Sequence, residues 1–568
     1  MSDQNINWAD LSEVEKIKTD SNYLRGTLAE SLADPITGAI AVDDRQVSKF
    51  HGIYQQFDRD TERERKKTKL EPDYSFLIRV RVPGGLVNAD QWLQMDQIAD
   101  EYANGTLKLT TRQAFQFHGV LKGNLKPSIQ SINKALLDTI AACGDVNRNV
   151  MASPHPYGSN VFDQVQDFAN KVSDHLTPRT PAYYEIWLDQ KKVAEGAQGE
   201  VEPLYGPVYL PRKFKIGFTI PPFNDTDVFT QDIGFISIEN NGILEGFNVV
   251  AGGGMGTTFG DAETYPRLGT VLGFVKAENT VDIAEKIVLV QKEQGNRKIR
   301  KNARLKYTID RLGIDKFKEL LHEKLAYKLE AAREYALIRN GDKFGWHQSV
   351  NGDWYLGLFI EGGRVKDVES IKTKTALREI ADLNISDFRL SGNQNLILGK
   401  IKGEDKNKIN EILKKYDSLP STISGTRSNS IACVALNTCS LAFAEAERYL
   451  PGLIDKIESS LSDFGLFKDE IVIRMTGCAN GCGRPYVAEI GFIGKGPGRY
   501  NLYLGGNFNG TRLNNLYREN VNEEEILQEL RPILEDYSQN KTEGEPFGDF
   551  VIRKQYVKKI VNPKDFKH

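Results

Sequence analysis

The feature of this 568-residue chain that most constrains its fold is an internal duplication, in which one order of small and large modules occurs twice. Residues 232–236 (Asp-Ile-Gly-Phe-Ile) and a glycine-rich segment at 252–256 resemble residues 489–493 (Glu-Ile-Gly-Phe-Ile) and a glycine-rich segment at 505–510. Similarity at this separation indicates two copies of one structural unit. We therefore expect two related halves that face each other with pseudo-two-fold symmetry.

The small modules repeat in the same order as the large ones. Residues 83–87 and 107–113 correspond to residues 361–365 and 388–394. Helical spacing separates β-patterned runs in four places, at 89–102, 280–293, 371–383 and 445–464. Each small module is therefore predicted to be strand, helix, strand, and each large module to alternate β-runs with helices. This pattern places the chain in the α+β class.

The repeat predicts how the chain divides. An N-terminal arm lies outside the duplication, and small and large modules then alternate. The expected bounds are 1–65 for the arm, 66–150 and 151–340 for the first small and large modules, and 341–420 and 421–568 for the second pair.

Four of the five cysteines form one group of candidate metal ligands. Five residues separate Cys433 from Cys439, and three separate Cys478 from Cys482. Four converging thiolates suit a zinc ion or an iron–sulfur cluster. Zinc sites usually pair cysteines across two-residue gaps, so this spacing favours the cluster and leaves a structural zinc site as the alternative. Cys143 stands apart and is predicted to be a small buried apolar residue.

Composition describes an ordinary globular protein. Hydrophobic residues make up 40% of the chain, charged residues 27%, and the net charge is −3. Nothing in this balance attracts nucleic acid, and no run reaches the roughly 18–20 apolar residues that span a membrane. The polar start of the chain is unlike a signal peptide, so we expect a reducing, cytoplasmic setting.

Basic side chains cluster beside apolar β-patterned runs. The residues concerned are Arg79, Arg81, Arg112, Arg148, Lys213 and Lys215. Residues two apart on a strand point to the same side, which pairs Arg79 with Arg81 and Lys213 with Lys215. One such pair is usually a solvated strand face. Several together predict a cleft that binds a polyanion.

The two large modules differ in chemistry. Residues 213–216 of the first are expected to align with residues 473–476 of the second, just before the second cysteine pair. One half then supplies cations and the other metal ligands. Facing each other, they would form a cleft that delivers electrons to a bound anion.

The second cysteine motif resembles the signature of the sirohaem-containing sulfite and nitrite reductases, Thr-Gly-Cys-Ala-Asn-Gly-Cys-Gly-Arg at 476–484. Four further segments resemble the branch of this family formed by the haemoprotein (beta) subunits of NADPH-dependent assimilatory sulfite reductase: 21–26, 50–56, 111–119 and 209–215. The resemblance runs nearly end to end. It implies two ferredoxin-like small modules and two larger α/β modules around a central cofactor cleft.

The resemblance also implies roles for individual residues. Cys433, Cys439, Cys478 and Cys482 would hold a [4Fe–4S] cluster, and Cys482 would also ligate the sirohaem iron. The residues matched to contacts with the macrocycle are Arg112, Gln116, His118, Arg212, Gln394 and Asn480. Those matched to the substrate anion are Arg79, Arg148, Lys213 and Lys215, with Arg81 a weaker candidate. A lysine crowded by cations loses its proton more readily than arginine, so Lys213 or Lys215 is the expected proton donor. Lys108 stands where close relatives are expected to have arginine.

The reaction implied by the resemblance is the six-electron reduction of sulfite to sulfide in cysteine biosynthesis. No Gly-x-Gly-x-x-Gly unit occurs in a strand-to-helix context, so NADPH is not expected to bind this chain. A flavoprotein (alpha) subunit carrying FAD and FMN would supply electrons, and residues 1–65 would dock it. The alternatives are a ferredoxin-dependent sulfite or nitrite reductase of the same fold, a pure electron carrier, or a protein with a purely structural cluster.

Overall fold

A computed structural model describes residues 10–156, 160–179, 186–188, 191–194, 202–419 and 423–568. The opening Met1–Gln4 segment, which bears on the signal-peptide expectation, lies outside these residues. Three short helices precede the first sheet: α1 (Glu13–Asp20), α2 (Leu28–Ala33) and α3 (Asp44–Val47). Within the described ranges, no helix is both long and apolar enough to cross a membrane.

Each small module is a five-stranded sheet with helices packed against it. The first contains β1 (Ile53–Phe57), α4 (Glu62–Lys67), β2 (Tyr74–Val80), β3 (Leu86–Val87), α5 (Ala89–Tyr102), β4 (Leu107–Leu109), β5 (Phe115–Val120) and α6 (Leu125–Lys134). The second contains β12 (Gly345–Gln348), β13 (Trp354–Leu358), β14 (Arg364–Val365), β15 (Asp367–Val368), β16 (Ile371–Lys372), α11 (Thr373–Asp382), β17 (Asp387–Leu390), β18 (Leu396–Ile401) and α12 (Lys406–Lys415).

The large modules follow them. The first contains α7 (Phe162–His175), β6 (Ile186–Leu188), β7 (Lys191–Ala194), β8 (Ile216–Thr219), β9 (Ile233–Asn240), β10 (Ile243–Ala251), β11 (Thr270–Lys276), α8 (Thr280–Gln294), α9 (Leu305–Leu312) and α10 (Ile314–His322). The second contains α13 (Gly425–Ser428), β19 (Ser430–Ala432), α14 (Leu450–Asp463), β20 (Ile473–Thr476), β21 (Ile490–Gly496), β22 (Arg499–Leu504), β23 (Asn515–Val521), α15 (Glu523–Asn540) and α16 (Phe547–Arg553).

The two small modules exchange strands. Their sheets have the orders β1-β2-β5-β4-β14 and β12-β13-β18-β17-β3, so each contributes one short strand to the other. The exchanged strands follow Gly85 and Gly363, both with positive φ. A Cβ at Gly85 would lie 2.5 Å from the carbonyl oxygen of Leu390, and one at Gly363 equally close to that of Leu109. Glycine is therefore required at both crossings.

The exchange creates one apolar core beneath both small modules. Trp92 on α5 stacks on Phe388 of β17 with ring centroids 4.7 Å apart, and both side chains are fully buried.

The equivalent sheet orders also show that β1 is the counterpart of β12. The duplication thus begins near Ile53, and the expectation that residues 1–65 lie wholly outside it is wrong in this respect.

The N-terminal segment packs on the first large module. Lys18 is buried; its Nζ donates to the carbonyl oxygen of Leu210 at 2.7 Å and pairs with Glu15 at 2.6 Å. Arg297 closes the network through a 2.6 Å ion pair with Glu15. Residues 13–20 are therefore fixed to the body of the chain.

The sheets of the large modules have the same topology. In one, β8 pairs in parallel with β9, which continues antiparallel through β10 to β11; β20, β21, β22 and β23 repeat this arrangement. In register, Ile216 lies opposite Ile233, and Ile473 lies opposite Ile490. Ile216 is therefore equivalent to Ile473, and the expected alignment of 213–216 with 473–476 is wrong by three residues.

Two equivalent carboxylates confirm the corrected register. Asp232 accepts a 2.9 Å hydrogen bond from the backbone N–H of Lys215, and Glu489 accepts one of 2.8 Å from that of Val472. Lys215 is thus equivalent to Val472, and Lys213 to Glu470. The second half lacks both lysines of the first, so the chemical asymmetry expected from the sequence holds in the corrected register.

Glu489 makes the stability of the protein depend on pH. Burial raises its pKa to about 7 from an ordinary value of 4.5, although two backbone N–H groups donate to it. Between these values the folded state holds a proton that the unfolded state has lost, so stability falls as the pH rises. Relative to Glu489→Gln, the wild type should lose on the order of 3 kcal/mol of unfolding free energy between pH 4.5 and 7. Urea unfolding across this range measures it.

The exposed Glu411 on α12 provides the matched control, as Glu411→Gln. Its difference from the wild type should not change with pH over the same range. If the curves of Glu489→Gln and the wild type stay parallel, Glu489 is not protonated in the folded protein.

A buried ion pair lies on the pseudo-two-fold axis. Asp227 and Arg484 occupy equivalent positions, each with positive φ and each before a 3₁₀ turn, and they pair with each other. The Arg484 guanidinium donates to the carbonyl oxygens of Thr111 at 2.8 Å and Gly392 at 2.7 Å, themselves equivalent residues. Arg474 adds a 2.7 Å contact to Asp227. The centre of the molecule is thus a charged contact between the halves.

Candidate cofactor and active site

Two neighbouring strands bring the cysteine pairs together. Strand β19 pairs in parallel with β20, so their carboxyl ends lie at the same edge of the sheet. Cys433 follows β19 directly, and Cys478 comes two residues after β20. The connection after Cys433 bears Cys439, and the turn after Cys478 bears Cys482.

Local hydrogen bonds orient two of the thiols. The backbone N–H of Gly477 donates to Cys433 Sγ at 3.4 Å, and Asn480 Nδ2 donates to Cys478 Sγ at the same distance. A side chain at Gly477 would meet the carbonyl oxygen of Ala444 at 2.4 Å, so glycine allows this close approach. Both contacts favour the thiolate form that metals bind.

The four thiols lie close enough to influence one another. Burial, with the neighbouring Cys482 thiol second, raises the pKa of Cys433 well above its ordinary value and that of Cys478 to about 11. Burial also raises the pKa of Cys439, and Cys482 adds to this. A positively charged centre is needed to hold four thiolates together here.

The donor set fits an iron–sulfur cluster. Within the described ranges, no group of three or more Cys, His, Asp or Glu side chains is arranged to hold a single metal ion. A four-iron cluster requires a different arrangement, because each thiolate binds its own iron and the four sulfurs surround the cluster. Cys482 is the exposed member of the four.

Opposite the thiols lie cations of the first half. Burial first, then Arg212 and Arg148, lower the pKa of Lys213 to about 7. Burial and Arg112 lower that of Lys215 well below its ordinary value. In the part of the chain that the structure describes, no hydrogen bond or ion pair engages Nζ of either lysine or the guanidinium of Arg212. These unpaired cations provide a binding face for an anionic group.

Arg112 and Arg148 are held by backbone carbonyl groups. Arg112 donates to Gln231 Oε1 at 2.7 Å and to the carbonyl oxygen of Asn149 at 2.6 Å, while its buried Nε has no hydrogen-bond partner within the described ranges. Burial and Arg148 lower its pKa to about 9. Arg148 donates to the carbonyl oxygen of Gly144 at 3.2 and 3.1 Å. Both guanidinium groups are therefore fixed in position.

Arg79, Gln116 and His118 form a connected row. Arg79 Nη2 donates to Gln116 Oε1 at 3.0 Å, and Gln116 Nε2 lies 3.1 Å from His118 Nε2. Burial, with Arg364 second, lowers the pKa of His118 far below its ordinary value, so the ring is neutral. Its buried Nδ1 has no hydrogen-bond partner among the residues that the structure describes. Arg79 also donates to Cys143, which is buried as expected.

Arg81 has different partners from Arg79. Strand β2 ends at Val80, and the Arg81 guanidinium pairs with Asp138 at 2.6 Å while also contacting Ser173. Ile78, Val80 and Val82 enter one apolar core, so Arg79 and Arg81 alternate with them as expected. The two arginines differ in their partners, because Arg81 is committed to Asp138.

Lys108 is connected to the loop after Cys433 through a buried ion pair. Its buried Nζ pairs with Glu447 at 2.7 Å, and Arg364 pairs with the same carboxylate at 2.8 Å. The backbone N–H of Glu447 donates to the carbonyl oxygen of Cys433 at 3.0 Å, which joins this ion-pair group to the cysteine loop. Lys108 is thus committed to an internal partner.

Gln394 positions the strand that bears Cys433. Its Oε1 accepts a 3.2 Å hydrogen bond from the backbone N–H of Ala432, and the equivalent Gln113 accepts one of 2.9 Å from Ala152. Both glutamines have positive φ. The structure therefore gives Gln394 a contact that orders the cysteine loop, while its expected contact with a macrocycle stays a prediction.

Four cations of the site were missed by sequence reasoning: Lys49, Arg300, Arg304 and Lys306. Arg304 pairs with Asp232 at 2.8 Å, and burial with Arg300 lowers the pKa of Lys49 to about 8. The sequence feature that could have predicted them is the basic run at 297–306, in which Arg300 and Arg304 lie four residues apart.

Models of known protein families match the first large module and both small modules. The family model described as "Nitrite and sulphite reductase 4Fe-4S domain" matches residues 168–329, and that described as "Nitrite/Sulfite reductase ferredoxin-like half domain" matches 69–135 and 347–416. The solved structure of the Mycobacterium tuberculosis NirA protein covers 96% of this chain, and the chain covers 97% of it, with a TM-score of 0.77 and 24% identity. The predicted duplicated α+β fold is confirmed.

Curated relatives share far more of the sequence. The chain is 57% identical to the "Sulfite reductase (NADPH) hemoprotein beta-component" of Anoxybacillus flavithermus and to that of Geobacillus thermodenitrificans, and 56% identical to that of Staphylococcus haemolyticus. Each match spans 98% of this chain and 97% of the relative. The resemblance stated from the motifs is confirmed: the chain belongs to the family of the NADPH-dependent sulfite reductase hemoprotein beta-components.

Proposed function

We propose that this chain reduces sulfite to sulfide with six electrons, at a sirohaem bridged through one sulfur to a [4Fe–4S] cluster. The observation that carries the proposal is the approach of the two halves at Cys482. Its thiol lies within electrostatic range of Arg148, Lys213 and Lys215 from the opposite half. Thr111 of the first half also donates to the carbonyl oxygen of Cys482 at 3.0 Å.

The four cysteines would hold the cluster, with Cys482 also ligating the sirohaem iron. When bound, this coupled centre supplies electrons to the sulfur of the substrate. Sirohaem carries eight carboxylates, which suits a cleft rich in cations. The residues proposed to bind the macrocycle are Arg112, Gln116, His118, Arg212, Gln394 and Asn480. Arg112 Nε and His118 Nδ1 support this assignment, since both are buried polar atoms without a hydrogen-bond partner in the described part of the chain, and such atoms are normally hydrogen-bonded.

Four cations are proposed to grip the substrate. Arg79, Arg148, Lys213 and Lys215 would bind sulfite through charge-assisted hydrogen bonds, which are short and strong where water is excluded. Turning hydrogen sulfite into hydrogen sulfide and three waters consumes protons with every pair of electrons. Lys213, with a pKa near 7, can both hold the anion and release a proton to a departing oxygen. Arginine holds the anion without giving up its proton.

The name "beta-component" of the relatives implies a partner subunit, and we propose that this partner supplies the electrons. We propose that this partner is a flavoprotein with FAD and FMN, and that residues 1–65 help to dock it. The five free cysteines support a reducing compartment such as the cytoplasm. Ferredoxin as the donor, or nitrite as the preferred substrate, remains the alternative on the same site.

The test combines cofactor content with turnover. We expect purified holoenzyme to contain about five irons per chain, one in sirohaem and four in the cluster, and to reduce sulfite with reduced methyl viologen. Cys478→Ser should lose cluster iron and activity together, whereas Cys143→Ser should keep its iron. Turnover per active site with nitrite, compared with sulfite, separates the two substrates. Zinc in place of iron, or iron without sulfite turnover, would rule out the proposal.

A further inference from the structure

The loop that carries Cys439 presents two apolar side chains to solvent. Leu441 and Phe443 are 63% and 54% exposed, whereas the intervening Ala442 and the following Ala444 are buried. The backbone N–H of Phe443 donates to the carbonyl oxygen of Gly477 at 2.8 Å, next to Cys478. The exposed pair therefore lies on a rigid loop that contacts both cysteine segments.

Exposing two large apolar side chains on one ordered loop costs free energy that burial would recover. Local folding does not require it, since Ala442 and Ala444 already fill the inward positions of the loop. A protein surface that covers the two side chains would recover this free energy and would lie directly above the cysteines.

A basic helix adjoins the same loop. Arg59 donates from its backbone N–H to the carbonyl oxygen of Asn437 at 3.0 Å, and from Nη1 to those of Cys439 and Ala442 at 3.4 and 3.1 Å. A 2.6 Å ion pair between Arg448 and Asp60 adds a second connection. Helix α4 begins at Glu62, three residues after Arg59, so it is held beside Leu441 and Phe443.

The side chains of α4 and of the residues just after it are mainly basic. Residues 62–69 include five basic and two acidic side chains in a chain whose net charge is −3. Four of the basic residues are exposed and, among the described residues, have no ion pair: Arg63, Lys66, Lys67 and Lys69. An apolar centre with a charged rim is the usual anatomy of a transient protein interface.

We propose that Leu441, Phe443 and the basic residues of α4, together called the cluster-loop patch, form the docking surface for the electron-donating partner. This inference rests on the proposed function. The partner it fits is a protein with an apolar spot surrounded by acidic residues. The basic rim attracts and orients that surface, and the apolar pair seats it over the cysteine loop. The patch brings a donor to the cluster side of the site, away from the cations that would hold the anion.

Charge reversal tests the rim. With NADPH present and the FAD- and FMN-containing flavoprotein titrated as free donor into the full-length holoprotein, Lys66→Glu combined with Lys67→Glu should lower kcat/KM for the donor about tenfold or more at low ionic strength. The difference should shrink as salt is added, because screening removes the attraction. Sulfite reduction with methyl viologen should stay unchanged, since this small reductant needs no docking surface.

Replacing the apolar pair tests the centre of the patch. Leu441→Ser combined with Phe443→Ser should raise the KM for the flavoprotein about tenfold at every ionic strength. Both side chains are exposed, so the variants fold. Lys126→Glu with Lys134→Glu on α6 matches the charge change, and Leu136→Ser matches the loss of an exposed apolar side chain. Neither control should differ from the wild type.

The outcomes separate this inference from the function on which it rests. If the wild type reduces sulfite with viologen and the patch variants match it with the flavoprotein, the docking inference fails and the proposed function stands. If the variants lose sulfite reduction with viologen as well as with the flavoprotein, the docking inference also fails, because the substitutions would then have damaged the active site itself. No viologen activity in the wild type would remove the function itself. If Leu441→Ser instead abolishes self-association of the chain in sedimentation, the patch binds a second copy.

Discussion

Asp227→Ala should lower the free energy of unfolding by about 3–5 kcal/mol, the cost of removing one partner from a buried ion pair. Asp227, Arg474 and Arg484 are all at least 96% buried. Burial alone would raise the pKa of Asp227, yet it lies below its ordinary value because the two arginines outweigh burial. Without this carboxylate, the two guanidinium groups at the pseudo-two-fold axis lose the ion pair that they share, and Asp342 is left as a more distant opposite charge for Arg484.

Denaturant unfolding of the purified chain measures the loss. Asp463→Ala is the matched control, because Asp463 pairs with Arg531 at 2.9 Å where both side chains are about half exposed. Such a surface pair contributes about 0–1 kcal/mol. Equal losses in the two variants would show that the axial pair contributes no more than a surface contact.

The second large effect is expected at Lys213. Lys213→Met should lower kcat/KM for sulfite by about 10²–10⁴-fold, because it removes both a cation and a proton donor from the site. Lys213→Arg should restore the KM and leave kcat low, since arginine keeps its charge but not the ability to give up a proton. In the wild type, the rate should fall as the pH rises through the pKa of Lys213, because the ammonium is the donating form.

Steady-state turnover with reduced methyl viologen measures these effects, and the absorption spectrum reports whether cofactors are retained. Lys276→Met, at the exposed end of β11, is the control and should be indistinguishable from the wild type. If Lys213→Arg recovers kcat as well as KM, the residue acts only by its charge and the proton comes from elsewhere, with Lys215 the next candidate.

Sequence periodicity predicted the regular elements well. The helix expected at 89–102 coincides with α5, and that at 280–293 differs from α8 by one residue. The helix expected at 445–464 begins only at Leu450, since Pro451 favours the first turn and the residues before it belong to the cysteine loop. The spacing of apolar residues predicts which face of a helix is buried. It does not predict the residue at which the helix starts.

Register and long-range pairing could not be predicted in this way. Two apolar strands can be aligned at several offsets with similar hydrophobic patterns, and only the pairing of Ile216 with Ile233 fixes the true one. The ion pair of Arg81 depends on Asp138, 57 residues later, and that of Arg304 depends on Asp232. These contacts arise from tertiary structure, which a local pattern does not contain.

The strand exchange between the small modules bears on how the protein arose and how it folds. A single copy of the repeat cannot complete its own sheet, because the strand it lacks is held by the other copy. Before gene fusion, such a unit would have existed as a domain-swapped homodimer with two identical sites. After fusion, the two sites could diverge, so that one kept thiolates and cations and the other lost them. It also delays folding: β4 of the first small module pairs with β14, about 260 residues further along, so the ribosome must synthesise well over half of the chain before the first module's sheet is complete.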